Sequence, residues 1–223
     1  EVAGKPMLEH VILKLKASGF TEIVINVHHF ADQILDFLQA NHNFGVDIHI
    51  SDETEELLDT GGGLEKAGKY FISSCHEDKN GILLHNVDIL SNCNLQDLIR
   101  FHQQTPDVYA TMLVSRRITS RYLLFGDNNL LCGWINKTTG EVKPAGLKYE
   151  EGKFREYAYS GIQAINPLLL NKGMKPGKYS IIDFYLQVCK NIRIQGYPVD
   201  NLQLIDIGKP ETLIKAEEFL NQL

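Results

Sequence analysis

Apolar residues at Leu8, Val11, Ile12 and Leu15 recur at helical spacing, with Pro6 near the first turn and Gly19 as a stop. The run 21–27 (TEIVINV) is β-branched and apolar and predicts a strand. Over 31–40, Ile34, Leu35 and Leu38 share one helical face, and 46–51 (VDIHIS) alternates as a strand does. An opening of helix, strand, helix, strand predicts parallel pairing with crossover helices. Three glycines, Gly61 to Gly63, then stand just ahead of a helix-compatible stretch at 64–69. The run 82–86 (ILLHN) predicts a buried strand ending near Asp88, Asn94 caps a helix over 95–104, and 110–116 is a further strand.

The texture changes after that point. Residues 122–125, a GDNN turn and 131–136 predict a β-hairpin, and 138–152 is polar and loop-like. A strand with an internal glycine is expected at 158–165. Ser180 and Asp183 fit a capping box that opens a helix to about Asn191. Short strands follow at 192–195 and 202–207, and Pro210 starts a terminal helix whose Ala216, Phe219 and Leu220 are available for burial. No repeat or low-complexity tract interrupts the chain. The expectation is one α/β domain over residues 1–223, with a mixed sheet and a hairpin-rich insert in its second half.

Composition narrows the function classes. The 223 residues carry a formal charge of −6 with 43% hydrophobic and 22% charged residues, the balance of a globular protein rather than a disordered one. A pI near 5.7 argues against a nucleic-acid partner, because phosphate backbones need clustered Lys and Arg. It leaves a nucleotide open, since a metal can carry the compensating charge. No apolar run reaches the roughly 20 residues that span a bilayer, so no membrane partner is expected. The first ten residues contain no apolar signal core. Cys75, Cys93, Cys132 and Cys189 are widely spaced, which suits reduced thiols in the cytoplasm.

Two carboxylates stand out. Asp88 follows a buried strand in His85-Asn86-Val87-Asp88, and Asp206 ends the apolar run of Leu204-Ile205-Asp206-Ile207-Gly208. Each alone also fits an Asp that caps a turn. Two such strand ends can lie side by side in a mixed sheet, and two carboxylates with water and phosphate oxygens make a Mg²⁺ site. Without a cation, each pair of like charges at 4 Å repels by about 1 kcal/mol in water. Asp59-Thr60-Gly61-Gly62-Gly63-Leu64 would let a flat ligand approach the backbone, although it is neither a P-loop nor a dinucleotide fingerprint and also fits a flexible loop. His28 and His29, being adjacent, do not share a helix face as a metal pair would. Glu53, Glu55, Glu56 and Asp59 read as a solvated acidic run, and Lys143, Lys148 and Lys153 as surface lysines.

Taken in order, these segments resemble the sugar-1-phosphate nucleotidyltransferases, including their mannose-1-phosphate guanylyltransferase-like and N-acetylmuramate-1-phosphate uridylyltransferase-like branches. Val2-Ala3-Gly4-Lys5-Pro6-Met7-Leu8 resembles V-x-G-K-P-[ML]-[LI], and Val24-Ile25-Asn26-Val27-His28-His29 resembles the strand and loop that follow it. Thr60-Gly61-Gly62-Gly63 is similar to T-[AG]-G-[GA], Asn86-Val87-Asp88 to N-[GSV]-D, and Ser160-Gly161-Ile162 to [NSA]-G-I. Asp206-Ile207-Gly208-Lys209-Pro210-Glu211 is similar to D-[IV]-G-[TK]-P-E. The similarity runs through nearly the whole chain. Two departures accompany it. The family's opening strand and its G-x-G-[TS]-R loop have no counterpart here, so the sequence is expected to be a fragment beginning just after them. The Glu of the family's Glu-Lys pair is replaced by Asn136, ahead of Lys137.

The resemblance implies a Rossmann-like three-layer sandwich with a mixed, mostly parallel central sheet and a β-hairpin insert. It implies an enzyme that joins a nucleoside triphosphate to a sugar 1-phosphate, releasing pyrophosphate. Asp88 and Asp206 would be catalytic and hold Mg²⁺; Thr60, Gly61, Gly62, Gly63 and Asn86 would bind the nucleotide; Ser160, Gly161, Asn136 and Lys137 would lie at the sugar. A homo-oligomer is compatible with this reading. A nucleotide-sugar-binding regulatory protein and a metal-dependent glycosyltransferase are the alternatives.

Overall fold

The structure, a computed structural model, describes residues 1–72, 81–105, 107–208 and 212–221, with the side chain of Ile72 left aside. Cys75, the expected helix start at Pro210 and the Lys209-Pro210-Glu211 part of the last motif lie outside the described residues. The chain forms two compact units, one from Leu8–Asp78 and Pro167–Phe184, the other from Glu1–Met7, Lys79–Asn166 and Tyr185–Leu223.

The first of these units carries most of helix α1 (Met7–Ala17), which buries Val11, Ile12 and Leu15 as its spacing requires. Strands β1 (Glu22–Val27) and β2 (Asp47–Asp52) pair in parallel from Glu22 opposite Asp47 to Val27 opposite Asp52. Helix α2 (Ala31–Ala40) makes the connection between them. Helix α3 runs over Asp59–Ile72, so the three glycines lie inside its first turns rather than ahead of it. The expectation of a loop there weighed glycine's poor helix propensity and missed the packing that overrides it.

The larger unit is built on a sheet. Its elements are β3 (Ile82–His85), β4 (Ile89–Ser91), α4 (Leu95–Gln103), β5 (Ala110–Ser115), β6 (Arg121–Phe125), β7 (Leu131–Asn136), β8 (Val142–Lys143) and β9 (Arg155–Ile165). Helix α5 (Ile181–Val188), β10 (Ile194–Pro198), β11 (Leu204–Asp206) and α6 (Leu213–Leu220) complete the chain. Asn94 caps α4 as expected, its Oδ1 accepting from the amides of Gln96 at 3.0 Å and Asp97 at 3.4 Å. Strand order is β10-β5-β9-β6-β7-β8, with β3 also on β9. All six residues of β5 are buried, which explains its continuous apolar run.

The sheet is mixed, as expected, but the parallel share is small. Among the described residues only β1–β2 and β5–β10 pair in parallel. The long β9 takes β3, β5 and β6 as antiparallel partners. Its eleven residues reach both the strand with the Asn86 turn and the hairpin, a reach its local sequence does not disclose. The polar stretch expected as loop contributes β8, paired to β7 through Trp134 opposite Lys143. Strand β4, unforeseen in the sequence, pairs antiparallel with β11. Among the described residues no helix is long and apolar enough to cross a membrane.

Candidate active site

In the larger unit the two singled-out aspartates come together. The chain leaves β3, turns with the Asn86 amide donating to the Gly161 carbonyl at 3.0 Å, and enters β4 one residue after Asp88. Pairing of β4 with β11 sets Asp206 opposite Ile89, and the Ile207 amide donates to the Asp88 carbonyl at 3.0 Å. The Gly208 amide donates to Asp206 Oδ1 at 2.9 Å. A Cβ on Gly208 would lie 3.1 Å from Asp206 Oδ1 and 3.9 Å from Asp88 Oδ2, so both carboxylates converge on that glycine. Burial first, and the Asp206 charge second, push the Asp88 carboxyl above its ordinary value. Two like charges held together in this way favour any cation brought to them. Among the described residues no group of three or more His, Cys, Asp or Glu could hold a metal ion.

The platform under the pair is a small core of its own. Val2, Leu90, Ala216 and Phe219 are buried together, with Met7, Ile205, Ile207, Leu213 and Leu220 packed against them. The N-terminal segment, both strands and α6 thus fix where Asp88 and Asp206 stand.

Asn86 and the Ser160-Gly161 pair also meet. The β5–β9 register shifts between Met112 and Val114, and Gly161 in the resulting irregularity has φ +78°, a conformation that disfavours any residue with a Cβ. A Cβ there would come within 3.0 Å of the Ile89 side chain and 3.1 Å of Asn86 Nδ2. Gly161 therefore makes room for the Asp88 turn. Ser160 is 2% exposed, and its hydroxyl donates to the Leu113 carbonyl at 2.6 Å, so it is a strand fixture rather than a presented side chain.

Asn136 ends β7 and turns the chain, its Oδ1 accepting from the amides of Thr138 at 2.9 Å and Thr139 at 3.4 Å. Lys137 pairs with Glu156 of β9 at 2.8 Å and contacts Tyr149, whose hydroxyl donates to the same Glu156 oxygen at 2.6 Å. Glu156 chiefly, then Tyr149, holds the Lys137 ammonium above its ordinary range. A carboxylate does accompany Lys137, but it comes from another strand, and sequence reading missed it.

In the other unit, Thr60 and the glycines meet the segment 177–181. The Gly61 and Gly62 amides donate to the Tyr179 carbonyl at 2.9 and 3.3 Å, and Thr60 Oγ1 accepts from the Ile181 amide at 3.0 Å. A Cβ on Gly61 would meet the Tyr179 ring at 2.5 Å, and one on Gly62 would run into the Gly177 carbonyl oxygen. These glycines exist for close packing, and two of their amides are already engaged. Glu53, expected in a solvated run, is only 3% exposed. The alternation in the sequence pointed the other way: Val46, Ile48 and Ile50 form its apolar set, and Ser51 and Glu53, both buried, fall on its polar one.

The sequence profile described as Nucleotidyl transferase matches residues 1–222. The N-acetylmuramate alpha-1-phosphate uridylyltransferase of Caulobacter vibrioides is 42% identical over 223 residues, 97% of this chain and 85% of that protein. The mannose-1-phosphate guanyltransferase of Gibberella zeae is 35% identical over 104 residues, 46% of this chain and 27% of that protein. Among solved structures, HddC from Yersinia pseudotuberculosis, complexed with GMP-PN, superposes with TM-score 0.73 at 19% identity over 99% of this chain and 88% of that one, a likeness of fold.

Proposed function

The chain belongs to the nucleotidyl transferase family, and from that premise we propose that it transfers a nucleotidyl group from a nucleoside triphosphate to a sugar 1-phosphate. A sugar-phosphate oxygen attacks the α-phosphorus, the bond to the β-phosphate oxygen breaks, and pyrophosphate leaves. The observation that carries this reading is the convergence of Asp88 and Asp206 on Gly208. The nearly full-length match to a uridylyltransferase makes UTP with an N-acetylmuramate-type sugar 1-phosphate the first pair to try.

The residues suit Mg²⁺. That ion keeps several waters and phosphate oxygens beside one or two carboxylates, and two converging aspartates are such a donor set. Asp88 and Asp206 would hold it, and when bound it neutralises charge on the phosphate oxygens. The chain's own contribution is alignment. The backbone bond from Ile207 to Asp88 locks the two strand ends, and Asn86 is held by Gly161 beside them. Thr60 and the Gly61–Gly63 turn would take the base, with Thr60 the presented side chain because it is exposed while the glycines are buried. Lys137, paired with Glu156, would face the sugar phosphate.

Pyrophosphate release from the full-length protein tests the proposal. UTP and GTP are crossed with N-acetylmuramate 1-phosphate and mannose 1-phosphate, with Mg²⁺ or EDTA. Release from one pairing, abolished by EDTA and by Asp88→Asn, is the expected result. No pyrophosphate from any pairing, with nucleoside diphosphate released when an NDP-sugar and a hydroxyl acceptor are supplied instead, would overturn it in favour of glycosyl transfer.

A further inference from the structure

Glu53 is a carboxylate buried to 3% exposure, and the chemistry proposed above does not use it. Both of its oxygens are engaged by neutral donors. Oε1 accepts from Asn26 Nδ2 at 2.7 Å and Oε2 from the Leu58 amide at 3.0 Å. Its backbone is tied as well, the amide to the Val27 carbonyl at 2.7 Å and the carbonyl to His28 Nδ1 at 2.5 Å. The pair lies directly under the glycine run: a Cβ on Gly63 would come within 2.7 Å of Glu53 Oε1 and 2.5 Å of Asn26 Nδ2. Ser51, opposite Asn26 in the β1–β2 register, adds a buried hydroxyl with no partner among the described residues.

A carboxylate accepts hydrogen bonds and donates none. Glu53 therefore dictates which end of the Asn26 amide faces it. The NH₂ must turn inward, and the carbonyl oxygen must turn outward. Asn26 is an exposed residue, and its Oδ1 accepts no hydrogen bond from the described residues. The Nδ2 edge of the Asn26 amide lies against Gly63 and the Glu53 carboxylate, which leaves Oδ1 as an acceptor on the opposite edge of the same exposed amide.

We infer that Glu53 is a positioning residue for nucleotide selection, holding Asn26 so that its amide oxygen accepts the ring N–H of a uracil or guanine base. Uracil N3–H and guanine N1–H are donors in the base plane, whereas the corresponding nitrogens of cytosine and adenine are acceptors. This inference rests on the reading that Thr60 and the glycine turn take the base.

The test is binding of UTP, GTP and CTP to the full-length protein by titration calorimetry, beside thermal melts without ligand. In Glu53→Gln the side chain keeps its shape, and both hydrogen bonds persist if the Asn26 amide reverses, which presents its NH₂ outward. Melting should move little. Affinity for the preferred nucleotide, UTP or GTP, should fall about tenfold, the worth of one net hydrogen bond, while CTP affinity holds or improves. KM for that nucleotide should rise with little change in the KM for sugar 1-phosphate. Should Glu53→Gln not fold, Asn26→Ala, altering an exposed side chain, serves in its place with the same expected loss for UTP or GTP. Equal changes for all three nucleotides, or none, would overturn the inference, as would a wild type that binds no nucleotide. A wild type that binds and discriminates yet releases no pyrophosphate would count against the proposed function alone, because the Glu53 comparison is read from binding.

Discussion

At the scale of single residues, Asp88 is where charge and function oppose each other. Its carboxyl sits above the ordinary value because of burial and the Asp206 charge. The native state therefore binds this proton more readily than the unfolded chain does. Ionised Asp88 costs stability, a cost that sets in as pH rises from the ordinary carboxylate range through the raised value. Without metal, Asp88→Asn is expected to match or exceed the wild type in urea melts at pH 7, by about 1 kcal/mol or less given its solvent contact. The gap should close at pH 3. With Mg²⁺ the wild type should gain melting temperature and the variant should not, and turnover should fall at least about 100-fold. Gly161 makes a second case. Alanine there must adopt φ +78° and press on Asn86 and Ile89, so Gly161→Ala should lose about 1–3 kcal/mol in chemical denaturation and impair nucleotide binding.

Helix α3 shows how much an element depends on what packs against it. Gly62 abuts the Gly177 carbonyl, whereas a Cβ on Gly68 would meet only the Leu170 side chain, at 3.3 Å. Gly62→Ala should cost about 1–3 kcal/mol, because backbone must move. Gly68→Ala should be close to neutral, since the gain of about 1 kcal/mol in helix propensity offsets mild crowding. Paired melts of the two variants check the contrast, and equal losses would contradict it. Helix α6 acts on the site through packing: Phe219, 6% exposed, shares a core with Leu90 and Ile205 under the aspartates. Phe219→Ala should cost about 3–5 kcal/mol and weaken Mg²⁺ binding, measured by melts with and without the ion.

For the molecule as a whole, His102 is one group through which acid lowers stability. Burial lowers it to about 4, and its Nδ1 lies 2.8 Å from Thr111 Oγ1, which also accepts from Gln195 at 2.9 Å. The native state thus takes up this proton less readily than the unfolded chain. Stability present above pH 6.5 should drain away as pH falls toward 4, by about 3 kcal/mol from this group. His102→Gln should flatten that part of the urea-midpoint profile. The larger lesson concerns what sequence periodicity carries. The alternation in β1 and β2, the α1 stripe, the Asn94 cap and both aspartate-bearing strand ends were legible because each is a local pattern of period 2 or 3.6, or a turn. The candidate metal residues were legible for the same reason, as carboxylates placed just at strand ends. Hidden from the sequence were the antiparallel reach of β9, the β4–β11 pairing that joins Asp88 to Asp206, and Glu156 beside Lys137. Hidden too were the engagement of the glycine amides by Tyr179 and the burial of Glu53 beneath Gly63. Each depends on segments distant in the chain meeting at a few ångströms, and no short-range spacing encodes such a meeting. Local pattern determined which residues could do the chemistry; packing alone decided which of them stand together.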